Sequence, residues 1–216
     1  MGHPATCLRD SGTIELVCVR ASSMFGFGAG GTTIRELTAD LFISLDGFAS
    51  GVKEAAFFGY FGEDLGRWVS DHLSQPQVLI MGRVTYEALA QFSATGSDEM
   101  SVRMTELPKV VFSSTLKEPL VWNNSRLVRA PIADEIRALK EQQGDPLRSI
   151  GSVSLVRSMM ELGLVDRLRL IVFPVILGAV GREPIFAGYL RTGLELIDTQ
   201  VLDSRLIVLE YRPLRP

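Results

Sequence analysis

The chain has 216 residues, 46% of them hydrophobic and 22% charged, which suits one sizeable core and is short for two. A formal net charge of −3 gives no general basic field, so nucleic acid is excluded as the main partner and any anion site must be local. The two cysteines, Cys7 and Cys18, and the two histidines, His3 and His72, cannot assemble a zinc centre or a Cys–His nucleophile pair, and such sparse cysteine usage fits a reducing cytoplasm.

Residues 1–33 differ from the rest. They end in the glycine-rich run Met24 to Gly31, which reads as a flexible connector or an over-extended start of translation. A formal G-x-G-x-x-G occurs there at Gly26, Gly28 and Gly31. However, Ala21 to Phe25 separate it from the strand-like Ile14 to Val19, and Thr32-Thr33-Ile34 follows with strand propensity, so the dinucleotide fingerprint lacks its strand–turn–helix setting. Arg9, Asp10, Glu15 and Arg20 interrupt any signal-peptide core. The most apolar run, Leu168 to Val180, is broken by Arg169, Pro174 and Gly178 and falls short of the roughly 20 residues a membrane span needs. The expectation is a protein with no export signal or membrane anchor and one domain over 34–216.

From Ile34 the pattern is regular. Ile34 to Ser44 predicts a strand, and Leu45-Asp46-Gly47-Phe48 a turn. Gly51 to Gly62 reads as a loop whose Phe57, Phe58, Tyr60 and Phe61 either line a flat-ring pocket or anchor the loop as a small core. Glu63 to Leu73 places Leu65, Trp68, Val69 and Leu73 on one helical face, with Glu63 and Asp64 at its N-terminus, where acidic groups are favoured. A strand over 77–81 and a helix over 84–92 follow. The polar stretch Ser93 to Glu106 leads to a strand from Lys109 to Ser113, a short strand at Leu127 and Val128, and a helix from Ala133 to Gln143. Leu147 to Gly151 and Leu168 to Ile176 predict strands on either side of a helix from Val153 to Leu162, and Leu194 to Val201 and Arg205 to Tyr211 add two more. Strands alternating with helices, then consecutive strands, imply an α/β fold with a mostly parallel sheet and an antiparallel C-terminal edge.

Three turns carry the chemistry. In Val78-Leu79-Ile80-Met81-Gly82-Arg83-Val84-Thr85 an apolar strand breaks at a glycine and opens a helix with an arginine. Helix N-termini favour anions by about 0.3–1 kcal/mol, and a charged hydrogen bond from arginine to phosphate adds roughly 1.5–3 kcal/mol, so Arg83 would dominate such a site. Ser113-Ser114-Thr115 supplies hydroxyl donors after the next strand, and Gly151-Ser152-Val153-Ser154 opens another helix. Each has an ordinary alternative: an arginine paired with a surface carboxylate, or a serine acting as a helix cap. Together, after parallel strands, they lie along one sheet edge and suit a ligand with two separate phosphate groups.

Ile80-Met81-Gly82-Arg83-x-Thr85-Tyr86-Glu87, Val111-Phe112-Ser113-Ser114 and Ile150-Gly151-Ser152 resemble, in order, the NADPH-binding motifs of dihydrofolate reductases. Ser44-Leu45-Asp46-Gly47, Gly163 to Leu170 and Pro174 to Gly178 look closer still to the reductase domain of the riboflavin-biosynthesis deaminase/reductase and its free-standing relatives. The resemblance spans about residues 34–212 and implies a three-layer, dihydrofolate reductase-like fold with a twisted central sheet flanked by helices. By analogy Gly82, Arg83, Val84 and Thr85, with Ser113 and Ser114, surround the adenosine 2′-phosphate of NADPH. Gly151, Ser152, Val153, Ser154 and Leu155 take the pyrophosphate and approach the nicotinamide.

The activity it implies is NADPH-dependent reduction of a pyrimidine- or pterin-like heterocycle, a small-molecule substrate, as in 5-amino-6-(5-phosphoribosylamino)uracil reductase. Asp46 and Asp64 are the candidate catalytic groups, and Phe48, Phe61, Phe173 and Pro174 the candidate substrate contacts. Two alternatives stand: dihydrofolate reduction, resting on Asp64 early in the helix before the Gly-Arg turn, and NADPH binding without turnover. The chain departs from the pattern in three places. Ser152 replaces the second glycine of dihydrofolate reductases, two extra residues separate Asp64 from Gly82, and Asp40 stands where the riboflavin-pathway enzymes carry a lysine, an acidic position expected to repel a ribose phosphate. The free-standing relatives imply a homodimer.

Overall fold

The computed structural model describes residues 34–214, so the readings made for the segment 1–33 lie outside the described residues. The chain runs β1 (Leu37–Ser44), β2 (Phe48–Gly51), α1 (Glu63–Ser74), β3 (Val78–Gly82), α2 (Arg83–Thr95), α3 (Glu99–Glu106), β4 (Lys109–Phe112), β5 (Ser125–Val128), α4 (Ile132–Glu141), β6 (Leu147–Ile150), α5 (Val153–Glu161), β7 (Arg167–Phe173), β8 (Gly181–Pro184), β9 (Leu194–Leu202) and β10 (Leu206–Pro213). Eight strands form one sheet in the order β5-β4-β3-β6-β1-β7-β10-β9. β1 pairs in parallel with β6 and β7, and β3 in parallel with β4 and β6, whereas β10 joins β7 and β9 antiparallel. This is the mostly parallel sheet with an antiparallel edge that the strand–helix alternation implies.

Helices cover both faces, making three layers. On one side Ile136 and Leu139 of α4 and Val156 and Met159 of α5 pack on Leu37, Ala39, Leu41 and Ile43 of β1. On the other, Leu65, Trp68, Val69 and Leu73 of α1 and Met104 of α3 pack with Leu79, Met81, Ile171 and Phe173. Each such side chain contributes roughly 1.5–3 kcal/mol when buried, so the helical stripe read from sequence is what fixes α1 on the sheet. The β9–β10 turn caps α1 from a distance. Asp203 accepts from the amides of Asp64 (2.9 Å) and Leu65 (3.2 Å), while the Asp203 amide donates to Asp64 at 3.0 Å.

Three elements differ from the sequence reading. The polar stretch 93–106 contains α3, capped by Asp98, which accepts from the Ser101 amide at 3.0 Å. Buried Lys109 closes that helix, donating to the carbonyls of Met104, Thr105 and Leu107; desolvation lowers its pKa to about 8. β7 stops at Phe173, short of Ile176, because Pro174 has no N–H for the ladder. Phe48–Gly51 and Gly181–Pro184 form a separate two-stranded antiparallel ribbon, whose first strand begins at Phe48 in the expected turn. Among the described residues no helix is long and apolar enough to cross a membrane.

Candidate functional site

The parallel strands bring their turns to one edge. Gly82 lies opposite Phe112 of β4, so Ser113 follows beside Arg83, and Ile80 lies opposite Ser149 of β6, which brings Gly151 level with Gly82. The β3 and β6 turns are clasped together. The Ser152 hydroxyl accepts from the Gly82 amide at 3.0 Å and donates to Thr85 Oγ1 at 2.9 Å, and the Ser152 amide donates to the same Thr85 oxygen at 3.1 Å. Gly151 and Ser152 both lie in the left-handed region, at φ +60° and +58°. With Ser152 so engaged, neither α2 nor α5 has a side-chain cap among the described residues, and the first turns of both helices line the same space.

That space is a cavity of about 890 Å³, at the upper end of the usual range for small-molecule pockets. Gly82, Arg83, Val84, Thr85 and Gly151 through Leu155 line one part of it. The rest is apolar: Phe42 of β1, Val69 and Leu73 of α1, Leu89 and Phe92 of α2, and Met100 and Met104 of α3. Phe57 and Phe58 complete it from a 3₁₀ turn (Ala56–Gly59), where both take positive φ (+53° and +51°). Their rings are held edge-on to Phe42 and against Phe173, at 5.6 and 5.2 Å between centroids. The aromatic loop is therefore divided: Phe57 and Phe58 face the cavity, whereas Tyr60 reaches the Pro174 carbonyl and Phe61 is half exposed.

Several expected site residues have partners within the protein. Asp46 accepts from the Ser44 hydroxyl (2.7 Å) and from the amides of Leu177 (3.1 Å) and Gly178 (2.8 Å), pinning the β1–β2 turn to the segment after β7. Chiefly through the Gly178 amide, these bonds hold its carboxyl below the ordinary carboxylate range, which favours the ionised form. Asp64 is spent on the Asp203 amide and on Arg67, 3.1 Å away, and does not line the cavity. Phe173 is a fully buried core residue, Pro174 is exposed beyond the strand end, and Phe48 packs on Gly181 in the ribbon. Ser113 folds back on its own turn, accepting from the amides of Thr115 and Leu116; neither it nor Ser114 reaches the cavity. Arg83 does line it, with its guanidinium 2.8 Å from Glu87.

A buried ionic cluster was missed. Asp40, fully buried, bonds Arg148 Nε at 2.6 Å and Arg169 at 3.3 Å, and Arg169 continues to Glu210. Arg148 lines the cavity, lies over the Trp68 ring and bonds Gln77 at 3.4 Å. Asp40 thus faces its arginines, and the repulsion expected of it is replaced by neutralisation. The usable signal was a charged residue inside each of three otherwise apolar strands, which demands partners. For Met100 and Met104 the signal was an i, i+4, i+7 series with Leu107 behind an Asp N-cap.

A family model described as the RibD C-terminal domain matches residues 35–208. The chain belongs to the RibD C-terminal domain family. Among relatives of this RibD C-terminal domain is the uncharacterized protein YyaP of Bacillus subtilis (strain 168), 28% identical over 183 residues, 82% of this chain and 94% of that protein. A protein of Shewanella sp. PV-4, solved as a candidate riboflavin biosynthesis protein, superposes with a TM-score of 0.68 at 20% identity, covering 83% of this chain and 99% of its own. Dihydrofolate reductase from Enterococcus faecalis, in complex with NADP(H), gives 0.56 at 12% identity over 82% and 96%. At these identities the structures establish a shared fold. The RibD C-terminal domain described here is a dihydrofolate reductase-like α/β domain with its cavity at the carboxyl ends of β1, β3 and β6.

Proposed function

We propose that this RibD C-terminal domain is an NADPH-dependent reductase of a flat heterocycle of the pyrimidine or pterin kind. The observation that carries the reading is one cavity with two uncapped helix starts and Arg83 in one part and an aromatic, apolar surface in the other. The donors fit a dinucleotide. The amides of α2 and α5 suit phosphate oxygens, and the left-handed Gly151 and Ser152 turn the backbone toward the cavity without a protruding Cβ at Gly151. Arg83 can exchange Glu87 for a phosphate, since an exposed pair is worth about 0–1 kcal/mol and an arginine–phosphate bond about 1.5–3 kcal/mol.

The bound nicotinamide would supply the hydride. The protein's own work is positioning. Phe42, Phe57 and Phe58 stack against a flat ring and exclude water, and the Thr85–Ser152 clasp fixes the spacing of the two helix starts. Among the described residues the carboxylates lining the cavity are Glu54 and Glu183, both exposed, which assigns proton delivery to the solvent side. Dihydrofolate reduction rested on Asp64, whose engagement with Asp203 removes the observation that favoured it.

Arg83→Ala tests the reading. NADPH affinity should fall about tenfold to a hundredfold and NADH affinity by less than about threefold, because only NADPH carries the 2′-phosphate. Equal losses for both would contradict the assignment. NADPH binding without oxidation by any pterin, flavin or pyrimidine in a panel would leave a binding protein without turnover.

A further inference from the structure

The charges around the cavity are distributed in a way that restricts what enters its apolar part. Among the described residues lining the cavity, the cations are Arg83, at the start of α2, and Arg148, on β6. From Arg83 to Phe92, which marks the apolar part, is about 13 Å along the helix axis. Arg148 is therefore the cation available to a ligand seated among Phe42, Val69, Leu73 and Phe92. Its charge is already taken. It is 7% exposed, its Nε lies 2.6 Å from Asp40, and Asp40 has no exposure at all. Asp40 neutralises the guanidinium through both Nε and Nη2, so a ligand phosphate meets a compensated pair; drawing Arg148 away would leave the Asp40 carboxylate buried with Arg169 alone, at 3.3 Å, and stripping one partner from a buried pair is strongly unfavourable. Arg169 is no substitute, since it is shared with Glu210. At the opening, Glu54 and Glu183 are exposed carboxylates and oppose an approaching anion.

We propose that the Asp40–Arg148 pair sets the substrate class: the ring bound in the apolar part of the cavity is flat and uncharged and carries no phosphate. The pairing works by exclusion, cancelling the cation that, among the described residues lining the apolar part, would otherwise reward a phosphorylated substrate. This rests on the reductase reading for its catalytic meaning; the binding preference belongs to the apolar part of the cavity when Arg83 and the two helix starts are occupied.

The experiment is equilibrium dialysis, with the oxidised cofactor NADP+ present at about millimolar concentration to occupy Arg83 and the two helix starts, against lumiflavin and flavin mononucleotide, which share one ring system and differ in the phosphorylated side chain. The wild-type protein should bind lumiflavin at least about tenfold more tightly. Asp40→Asn, which uncovers Arg148, should tighten flavin mononucleotide at least about tenfold and leave lumiflavin within about threefold; a loss of packing alone would weaken both. The double substitution Asp40→Asn with Arg148→Gln removes both charges and should restore the wild-type preference. Should the single variant not fold, the wild-type comparison decides alone. Flavin mononucleotide bound as tightly as lumiflavin, or no retention of lumiflavin at about millimolar concentration, overturns the proposal. NADPH binding is measured separately: lumiflavin preferred without NADPH binding sinks the reductase reading and keeps this one, and NADPH binding with flavin mononucleotide preferred does the reverse.

Discussion

Ser152 sits at φ +58°, a conformation that costs an ordinary L-residue about 1–2 kcal/mol. Thr85 compensates by accepting from both its amide and its hydroxyl, and Ser152 in turn accepts from Gly82, so one threonine side chain holds two chain segments that the sequence separates widely. Thr85→Val keeps the shape and removes the acceptor. It should destabilise the protein by about 1–3 kcal/mol, the penalty for an orphaned amide, visible as a lower denaturant midpoint at unchanged slope. An unaffected midpoint would show that the clasp is incidental. At this scale the sequence revealed positions better than partners. Gly82, Arg83 and Gly151 stand where the strand–Gly–helix pattern puts them, but Ser152 binds Gly82 across the sheet where a helix cap was one of its two readings. The partners of Asp46 and Asp64 are not legible in a linear string because the amides that bond them come from segments more than a hundred residues away.

Among the elements, α1 ties the site to the ionic cluster. His72 stacks on Trp68 with centroids 3.9 Å apart, and its Nδ1 lies 2.7 Å from the Trp68 carbonyl. Burial, assisted by Arg169 and Arg148, pushes the imidazole below its ordinary value of 6.5, against the opposing pull of the Trp68 carbonyl and Asp40. The unfolded chain then takes up a proton near pH 6.5 that the folded chain refuses. Stability contributed by neutral His72 is complete above that pH and declines as pH falls through and below it. Denaturant midpoints compared between about pH 7.5 and about pH 5.5 should fall less in His72→Gln than in the wild type, and an identical fall would assign the acid sensitivity elsewhere. Legibility of elements followed the strength of their local signals. α1, with four apolar residues on one face, matches the expected span to one residue. The β2–β8 ribbon was invisible because Gly181–Pro184 has neither alternation nor length, and its pairing is settled by Phe48 packing on Gly181.

For the whole molecule, parallel strands with helical crossovers place the ends of β3, β4 and β6 on one edge, and two hydrophobic layers hold α1–α3 and α4–α5 against opposite faces. The cavity opens where α2 and α5 begin and where α1 and α3 provide the apolar wall. That architecture was readable because it depends on element order. The wall itself was not, since it is assembled from side chains of five elements whose contacts depend on packing. The central claim is that this edge binds NADPH, and thermal unfolding with and without the cofactor tests it most directly. NADPH at about 100 times its dissociation constant should stabilise the protein by roughly 2.7 kcal/mol, raising the midpoint by about 5–10 °C. A midpoint unmoved by NADPH at about millimolar concentration would contradict it.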